Sequence, residues 1–545
     1  MVELPVEGAR AGVPASGLSL VDWSIGDMLR WAAAARPDAP ALVEGTAGDA
    51  ESRRRWTHSQ LLDQAERGAH ALLARYSPGE HVAIWAPNSA DWVLAEFAFA
   101  LAGVTIVGVN PALRDDEVAY ILGNSGAVGV FHGGPYRSVD PVAVLARLAD
   151  RLPRLRAIES LALFGDPSLP RGAGSLPATS PGAIAQIQYT SGTTGFPKGA
   201  RLAHRAFVNN ARLFAERLGL TTGGRLLHAL PMFHTSGSVQ STLGTLSVQG
   251  TQIIGTPGFD PALMLDLIEQ ERPECAVCVP TMLYAMLARE DFWRRDLSTL
   301  RLIAGGGSPV PAALIEQLRD RLGVGFSNVY GQTEAIVISQ TDPARDDAVR
   351  QAETIGRPLP HCEIRLIDPK TGGPAAAGQS GDLQVRGYNV MAGYLPGTDA
   401  RSPIDADGWL STGDLCTLDD EGYLRIVGRL KDMIIRGGEN VYPREIEDVL
   451  CRHPSIREAA VIGVPDELWG EQVCAVVIAD ESARDDVEAL ALWARERLAA
   501  YKSPKLWAFV DAFPLTGSGK VRKVALREAV ASGALPAVPA GGSRR

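Results

Sequence analysis

The chain has 545 residues, 46% of them hydrophobic and 21% charged, and carries a net charge of −10 at neutral pH. That length exceeds one ordinary core, at roughly 150 residues per domain, and calls for two or more domains. Mixed charges with an acidic balance exclude a dedicated nucleic-acid-binding face, and the longest apolar run, Phe97 to Val109, falls short of the ~20 residues of a bilayer span and is interrupted by Gly103.

Met1 to Ser19 holds Glu3, Glu7 and Arg10 but no long apolar stretch, so no secretory signal is expected. Gly8 to Gly17 and Gly533 to Arg545 are small-residue runs of the kind that make frayed tails. His81 to Trp85 is predicted as a strand, Ala90 to Leu101 as a helix and Thr105 to Val109 as a buried strand. The helix Pro261 to Glu271, the apolar run Cys275 to Val279, and Arg301 to Ala304 before a glycine cluster repeat the alternation. It predicts an α/β fold with parallel sheets covered by helices. From about Ile364 the texture changes to short strands and turns, with Glu363 to Ile367, Gly381 to Val385 and Gly422 to Val427 predicting a β-rich subdomain over about 360–430. After Lys431 a small α+β domain is expected, with helices at Pro443 to His453 and Val487 to Leu498 and strands at Glu458 to Val464 and Gln472 to Ile478. The main boundary falls between residues 1–430 and 431–545.

The six cysteines are scattered from Cys275 to Cys474, which fits free thiols in a reducing, cytoplasmic compartment. Cys275 and Cys278 form a C-x-x-C, but they lie in an apolar run with no second pair to complete four metal ligands. They are expected to be two small buried side chains.

The densest chemistry lies in Tyr189-Thr190-Ser191-Gly192-Thr193-Thr194-Gly195-Phe196-Pro197-Lys198-Gly199. Glycines let backbone N–H groups approach an anion, hydroxyls add donors, and Lys198 adds a charge. The preceding Ala183 to Tyr189 reads as a strand, so the loop leaves a strand end. It lacks the Gly-Lys-Ser/Thr of a Walker A loop. Tyr330-Gly331-Gln332-Thr333-Glu334 offers an aromatic face for a base, a hydroxyl for phosphate and a carboxylate for Mg²⁺. Asp414, in Ser411-Thr412-Gly413-Asp414, reads by itself either as a solvated turn aspartate or as an acceptor for a pair of ribose hydroxyls. Gly428-Arg429-Leu430-Lys431-Asp432 follows, and Lys520 sits on the glycine-flanked stretch Pro514 to Lys520.

In this order the segments resemble the superfamily of adenylate-forming enzymes, which includes acyl-CoA synthetases, luciferases and nonribosomal peptide adenylation domains. The resemblance runs from roughly Leu20 to Val530. Pro231-Met232-Phe233-His234-Thr235-Ser236-Gly237 and Arg386-Gly387-Tyr388-Asn389-Val390-Met391 bring it closest to bacterial fatty-acyl and aryl-CoA ligases. It implies an adenylation domain over residues 1–430 and a mobile C-terminal domain hinged at Lys431. Thr190, Ser191, Gly192, Thr193, Thr194, Gly195 and Lys198 are implied to hold the ATP phosphates. Tyr330 would stack on adenine beside Gly305, Gly306 and Gly307, with Gly331 and Gln332 in the same nucleotide site. Glu334 would bind Mg²⁺, Thr333 the α-phosphate, and Asp414 with Arg429 the ribose. Lys520 would bridge the carboxylate and the α-phosphate. Gly437 and Gly438 would flank the pantetheine thiol of coenzyme A.

His234, Thr235, Ser236, Ile336 and Val337 are implied to line the acid pocket, with His234 also near the reacting carboxylate. That lining is small and uncharged, and favours a neutral aryl or aliphatic acid over an amino acid. The implied reaction is ATP-dependent acid–CoA ligation through an acyl-adenylate, with ATP, Mg²⁺ and CoA as co-reactants and a homodimer as the family's assembly. The alternatives within the resemblance are loading of a carrier protein, or activation of nitrite for arylamine diazotisation.

Overall fold

The helix Ala90–Ala102 shows how local sequence sets the first layer. Ser89 caps it by accepting from the Trp92 N–H, and Gly103 ends it in the left-handed conformation at φ 68°. Nearly every residue of the helix is buried, as its all-round apolar sequence requires. The computed structural model describes residues 10–11, 17–190, 197–306, 310–397, 402–437, 439–481, 484, 486–515 and 521–540.

These residues divide into two compact units. The first takes residues up to 365 with 384–410 and 420–424, and the second takes 366–383, 411–419 and everything from 425 onward. The first unit holds two large sheets. One is ordered Ala157–Ser160, Gly129–His132, His81–Trp85, Thr105–Val109, Ile184–Thr190, Lys198–Ala203. All its pairings are parallel except the last, a hairpin. The other has nine strands and a parallel centre of Pro40–Gly45, Thr251–Gly255, Arg225–His228, Cys275–Val277, Leu302–Gly306 and Gly325–Gln332. Its helix Pro261–Glu271 has the predicted bounds, because Asp260 caps the Leu263 N–H and Pro261 sits at the first helical position. Cys275 and Cys278 are free thiols buried in this layer, as expected. Burial pushes the Cys278 thiol up to about 12, which removes it from nucleophilic chemistry.

The strands Cys362–Ile367, Gly381–Gly387, Leu410–Leu418 and Leu424–Arg429 lie in the β-rich subdomain, in a sheet that also takes Arg10–Ala11. In the C-terminal unit, Ile456–Asp466 and Gly470–Ala479 form a long antiparallel pair, and Leu506–Phe509 lies parallel to the second of them. Their alternate residues feed two cores. Val461, Val473, Ala475 and Val477 join Leu450 and Trp507 on one face, while Ile462, Cys474 and Val476 join Phe513 and Leu526 on the other. Among the described residues no helix is long and apolar enough to cross a membrane.

One buried charge-bearing group stands out in the first unit. Glu96 is 1% exposed, and its Oε1 accepts from Gln186 Nε2 at 2.9 Å, whose Oε1 in turn accepts from Gln188 Nε2 at 2.8 Å. Burial pushes the Glu96 carboxyl well above the carboxylate range, so the folded chain keeps a proton that the unfolded chain releases above pH ~4.3. Stability therefore falls as pH rises past that value, by up to about 1.4 kcal/mol per pH unit, until the folded group ionises. Glu96→Gln keeps the acceptor and removes the ionisation. The expected result is a thermal midpoint that gains on the native chain progressively from pH 5 to pH 8. A constant difference across that range would show that Glu96 is charged in the fold.

Candidate active site

The phosphate-type loop closes a β-hairpin. Ile184–Thr190 runs into it and Lys198–Ala203 returns antiparallel, with Thr190 opposite Lys198 and Tyr189 opposite Gly199. Tyr189 anchors the incoming strand, its hydroxyl donating to Asn124 Oδ1 at 2.7 Å. Ser191, Gly192, Thr193, Thr194 and Gly195 lie outside the described residues, as do Gly307, Gly438 and Lys520.

The second motif is also a hairpin. Gly325–Gln332 turns at Thr333-Glu334-Ala335 into Ile336–Gln340, with a bulge at Tyr330 and Gly331. The bulge brings the two backbones so close that a Cβ on Gly331 would lie 1.8 Å from the Ile336 carbonyl oxygen. Only glycine fits there. On the other side of the strand, Gly305 and Gly306 pair in parallel with Asn328 and Val329, so the glycine strand end sits beside Tyr330. Thr333 is 7% exposed and Tyr330 8%, while Glu334 is half-buried at the tip.

Ile336 has φ 53°, a left-handed conformation that a β-branched residue adopts only under strain of order 1–3 kcal/mol. Two asparagines hold it. Asn389 Nδ2 donates to the carbonyls of Ala335 and Val337 at 2.8 and 3.2 Å. Asn210 donates to the Val337 carbonyl at 2.9 Å and accepts from its N–H at 3.2 Å. Ile336 and Val337 are buried in this clamp, at 1% and 0% exposure.

The segment that carries Asn389 ties the two hairpins together. The Met391 N–H donates to the Glu334 carbonyl at 2.8 Å, the Arg201 N–H to the Gly393 carbonyl at 3.0 Å, and the Leu395 N–H to the Gly199 carbonyl at 2.8 Å. Tyr394 then reaches both sites. Its hydroxyl donates to Glu334 Oε1 at 2.6 Å, and Lys198 Nζ stands 5.3 Å from its ring centroid. Burial and the neighbouring Glu334 charge push the Tyr394 phenol up, so it stays a donor. Sequence reasoning missed Asn210, Asn389 and Tyr394. The only local signal for the last two was the Asn-Val-Met run followed by Gly393-Tyr394.

His234 lies on a turn against the first sheet. Gly108, which pairs with Gln188, admits the Phe233 backbone; a Cβ there would meet the Phe233 carbonyl oxygen at 2.9 Å. His234 is exposed, and its Nδ1 accepts from the Ser236 N–H at 3.2 Å, which leaves Nε2 for the proton of the neutral ring. Thr235 is 2% exposed. A π-helical stretch, Ser236–Leu243, begins at the next residue, a rare geometry that recurs at functional sites.

In the C-terminal unit, Asp414 accepts from Arg429 Nε at 2.9 Å and is 5% exposed. Asp382 shapes the turn before it, accepting from Ser411 Oγ at 2.7 Å and from the Gly413 N–H at 3.1 Å. Asp382 was not legible as a site residue. Lys431 lies in the short helical turn Leu430–Asp432. The Gly437 N–H donates to the Trp469 carbonyl at 2.8 Å. The structure thus gathers Thr190, Lys198, Gly305, Gly306, Tyr330, Gly331, Gln332, Thr333, Glu334, Ile336 and Val337 around two adjoining hairpins, and separately pairs Asp414 with Arg429. Among the described residues no group of three or more His, Cys, Asp or Glu could cage a metal ion. Glu334, at the tip of the second hairpin, would therefore serve as one oxygen ligand to a Mg²⁺ that arrives on a nucleotide.

Residues 29–395 match the AMP-binding enzyme family, and residues 445–520 match the AMP-binding enzyme C-terminal domain. A medium-chain acyl-CoA ligase from Macaca fascicularis, the mitochondrial ACSF2, is 33% identical over 97% of this chain and 90% of its own. A propanoyl:CoA ligase of Mycobacterium tuberculosis, whose propanoyl group carries a methyl-dioxo-octahydro-indenyl ring system, is 38% identical over 90% of this chain and 96% of its own. Among solved structures, the o-succinylbenzoate CoA synthetase MenE of Bacillus subtilis, in complex with the acyl-adenylate OSB-AMP, superposes with a TM-score of 0.80. It is 29% identical and covers 93% of this chain and 99% of that one. The chain belongs to the AMP-binding enzymes, the adenylate-forming family, and is an ATP-dependent acid–CoA ligase.

Proposed function

We propose that the acid is a neutral, apolar carboxylic acid, aliphatic or ring-bearing, and that the residues of the two hairpins divide the chemistry of its activation. The observation that carries this is the placement of Glu334 and Lys198 on one tyrosine, with Lys198 at the start of the strand that leaves the phosphate-type motif. The acid class is supported by the uncharged residues at the His234 turn and by the medium-chain and the ring-bearing propanoyl groups in the names of the two relatives.

Two anions, a carboxylate and a triphosphate, must meet in line for the carboxylate oxygen to attack the α-phosphorus. Lys198 and the loop at 190–195 neutralise and hold the outer phosphates. Thr333 donates to the α-phosphate, and Tyr330 with Gly305 and Gly306 orients the base. Glu334 would hold Mg²⁺, which supplies positive charge to the phosphate oxygens. Lys520 stabilises the charge that builds at the reacting centre. The α–β phosphoanhydride bond breaks, pyrophosphate leaves with the electron pair, and the mixed anhydride remains. The CoA thiol then attacks its carbonyl and AMP leaves. Residues Gly437 and Gly438 serve this second step after the C-terminal domain turns about Lys431.

Asp414 and Arg429 hold the ribose in this scheme. Asp414→Asn keeps the shape and loses the charge-assisted acceptor, worth about 1.5–3 kcal/mol. The expected result is a KM for ATP raised by roughly tenfold or more, with the KM for the acid little changed. An unaltered KM for ATP would remove Asp414 from the nucleotide site.

The acid class is tested by measuring AMP and thioester release with CoA and octanoate, benzoate, an α-amino acid, or nitrite plus an aminoarene. Equal amounts of AMP and acyl-CoA are expected with the neutral acids. AMP release only with nitrite, or only with the amino acid, would overturn the reading.

A further inference from the structure

The Tyr394 side chain touches both hairpins. Its backbone bridges to Ala200 on the strand that leaves the phosphate loop, and the flanking Gly393 and Leu395 bond the same strand at Arg201 and Gly199. Its ring lies within 5.3 Å of Lys198 Nζ, and its hydroxyl spans 60 residues of sequence to donate to Glu334 Oε1 at 2.6 Å. Its place is fixed by backbone bonds on one side of the ring and by a short charge-assisted bond at its tip. A ring facing an ammonium and a phenol facing a carboxylate are complementary roles, and each would be idle without its own partner.

We propose that Tyr394 is a positioning residue that couples the two hairpins: its hydroxyl fixes the Glu334 carboxylate by one oxygen and leaves the other for a nucleotide-borne divalent cation, while its ring seats Lys198 for the phosphates. The proposal rests on the reading of Glu334 as the cation's ligand. The two halves of the side chain are separable by substitution. Tyr394→Phe removes the donor and keeps the ring, whereas Tyr394→Leu removes both.

Equilibrium binding of ATP to the full chain is measured by calorimetry, once with Mg²⁺ and once with EDTA, for both variants and for Glu334→Gln as a control. Tyr394→Phe is expected to weaken MgATP binding about tenfold and to leave ATP binding in EDTA within twofold of the native value, which also reports that the variant is folded. Tyr394→Leu is expected to weaken both. If Tyr394→Phe weakens both equally, or neither, the coupling role is overturned. If Glu334→Gln leaves the gain from Mg²⁺ intact, Glu334 is not the cation's ligand, and the proposal falls with that reading rather than on Tyr394 itself.

Discussion

Lys520→Ala is expected to lose adenylate formation by roughly 10²–10³-fold and to keep thioester formation from supplied acyl-AMP and CoA. The first half-reaction needs a cation where the attacking carboxylate and the α-phosphate share growing charge, and one such contact is worth about 3–4 kcal/mol in the transition state. The second half-reaction begins with a neutral thiol and an anhydride already formed, so it makes no use of that ammonium. Rapid-quench measurement of each half-reaction separates them. Equal loss in both halves would mean that Lys520 holds the fold or the nucleotide rather than the reacting centre. Lys431→Pro is expected to do the reverse, sparing adenylation and stalling thioester formation.

Gly331→Ala is the second substitution with a large expected effect. The added carbon would meet backbone and not a yielding side chain: the Ile336 carbonyl oxygen at 1.8 Å, its carbon at 2.8 Å and Val337 Cα at 3.0 Å. The hairpin must open to relieve the clash, at a cost of about 1–3 kcal/mol or more for overpacking. Opening breaks the clamp of Asn210 and Asn389 on Val337 and moves Thr333 and Glu334 with it. A shift of one ångström in such groups costs roughly 10²-fold in rate. Acid-dependent ATP–pyrophosphate exchange should fall by that factor, and the thermal midpoint should drop. A variant within twofold of native activity would show that the hairpin tolerates the shift and that its geometry is not what aims Glu334.

Local pattern carried much of the fold. His81–Trp85, Thr105–Val109 and Pro261–Glu271 occupy the predicted residues, because β-branched runs between turn residues and an Asp-Pro helix start are decided by neighbours in sequence. The helix expected at Pro443 to His453 stops at Leu450, and Gly422 and Tyr423 precede rather than join the strand Leu424–Arg429. Ends depend on caps and tertiary contacts, which pattern does not encode. The phosphate-type loop was legible as chemistry but not as a hairpin, since Lys198–Ala203 is short and mixed in character.

Site residues divide the same way. Glu334, Lys198 and Asp414 stand in compact motifs whose order along the chain carried the resemblance from which their proposed roles come. Tyr394, Asn210, Asn389 and Asp382 act by reaching across the fold: Tyr394 lies 60 residues from Glu334 and Asn210 lies 127 from Val337. Nothing in the immediate neighbours of Asn210 or Asp382 marks them, and the Asn389 to Tyr394 run marks a segment without showing what it reaches. Glu96 reads in sequence as an interruption in an apolar helix, and only its partner Gln186, 90 residues away, shows why it is tolerated.

In this reaction order an acyl-adenylate forms before any thiol is engaged. Its direct test is exchange of labelled pyrophosphate into ATP with octanoate present and CoA absent. Acid-dependent exchange is expected, with no ADP, and with AMP equal to thioester once CoA is added. ADP with inorganic phosphate as products, or exchange that starts only when CoA is present, would contradict that order.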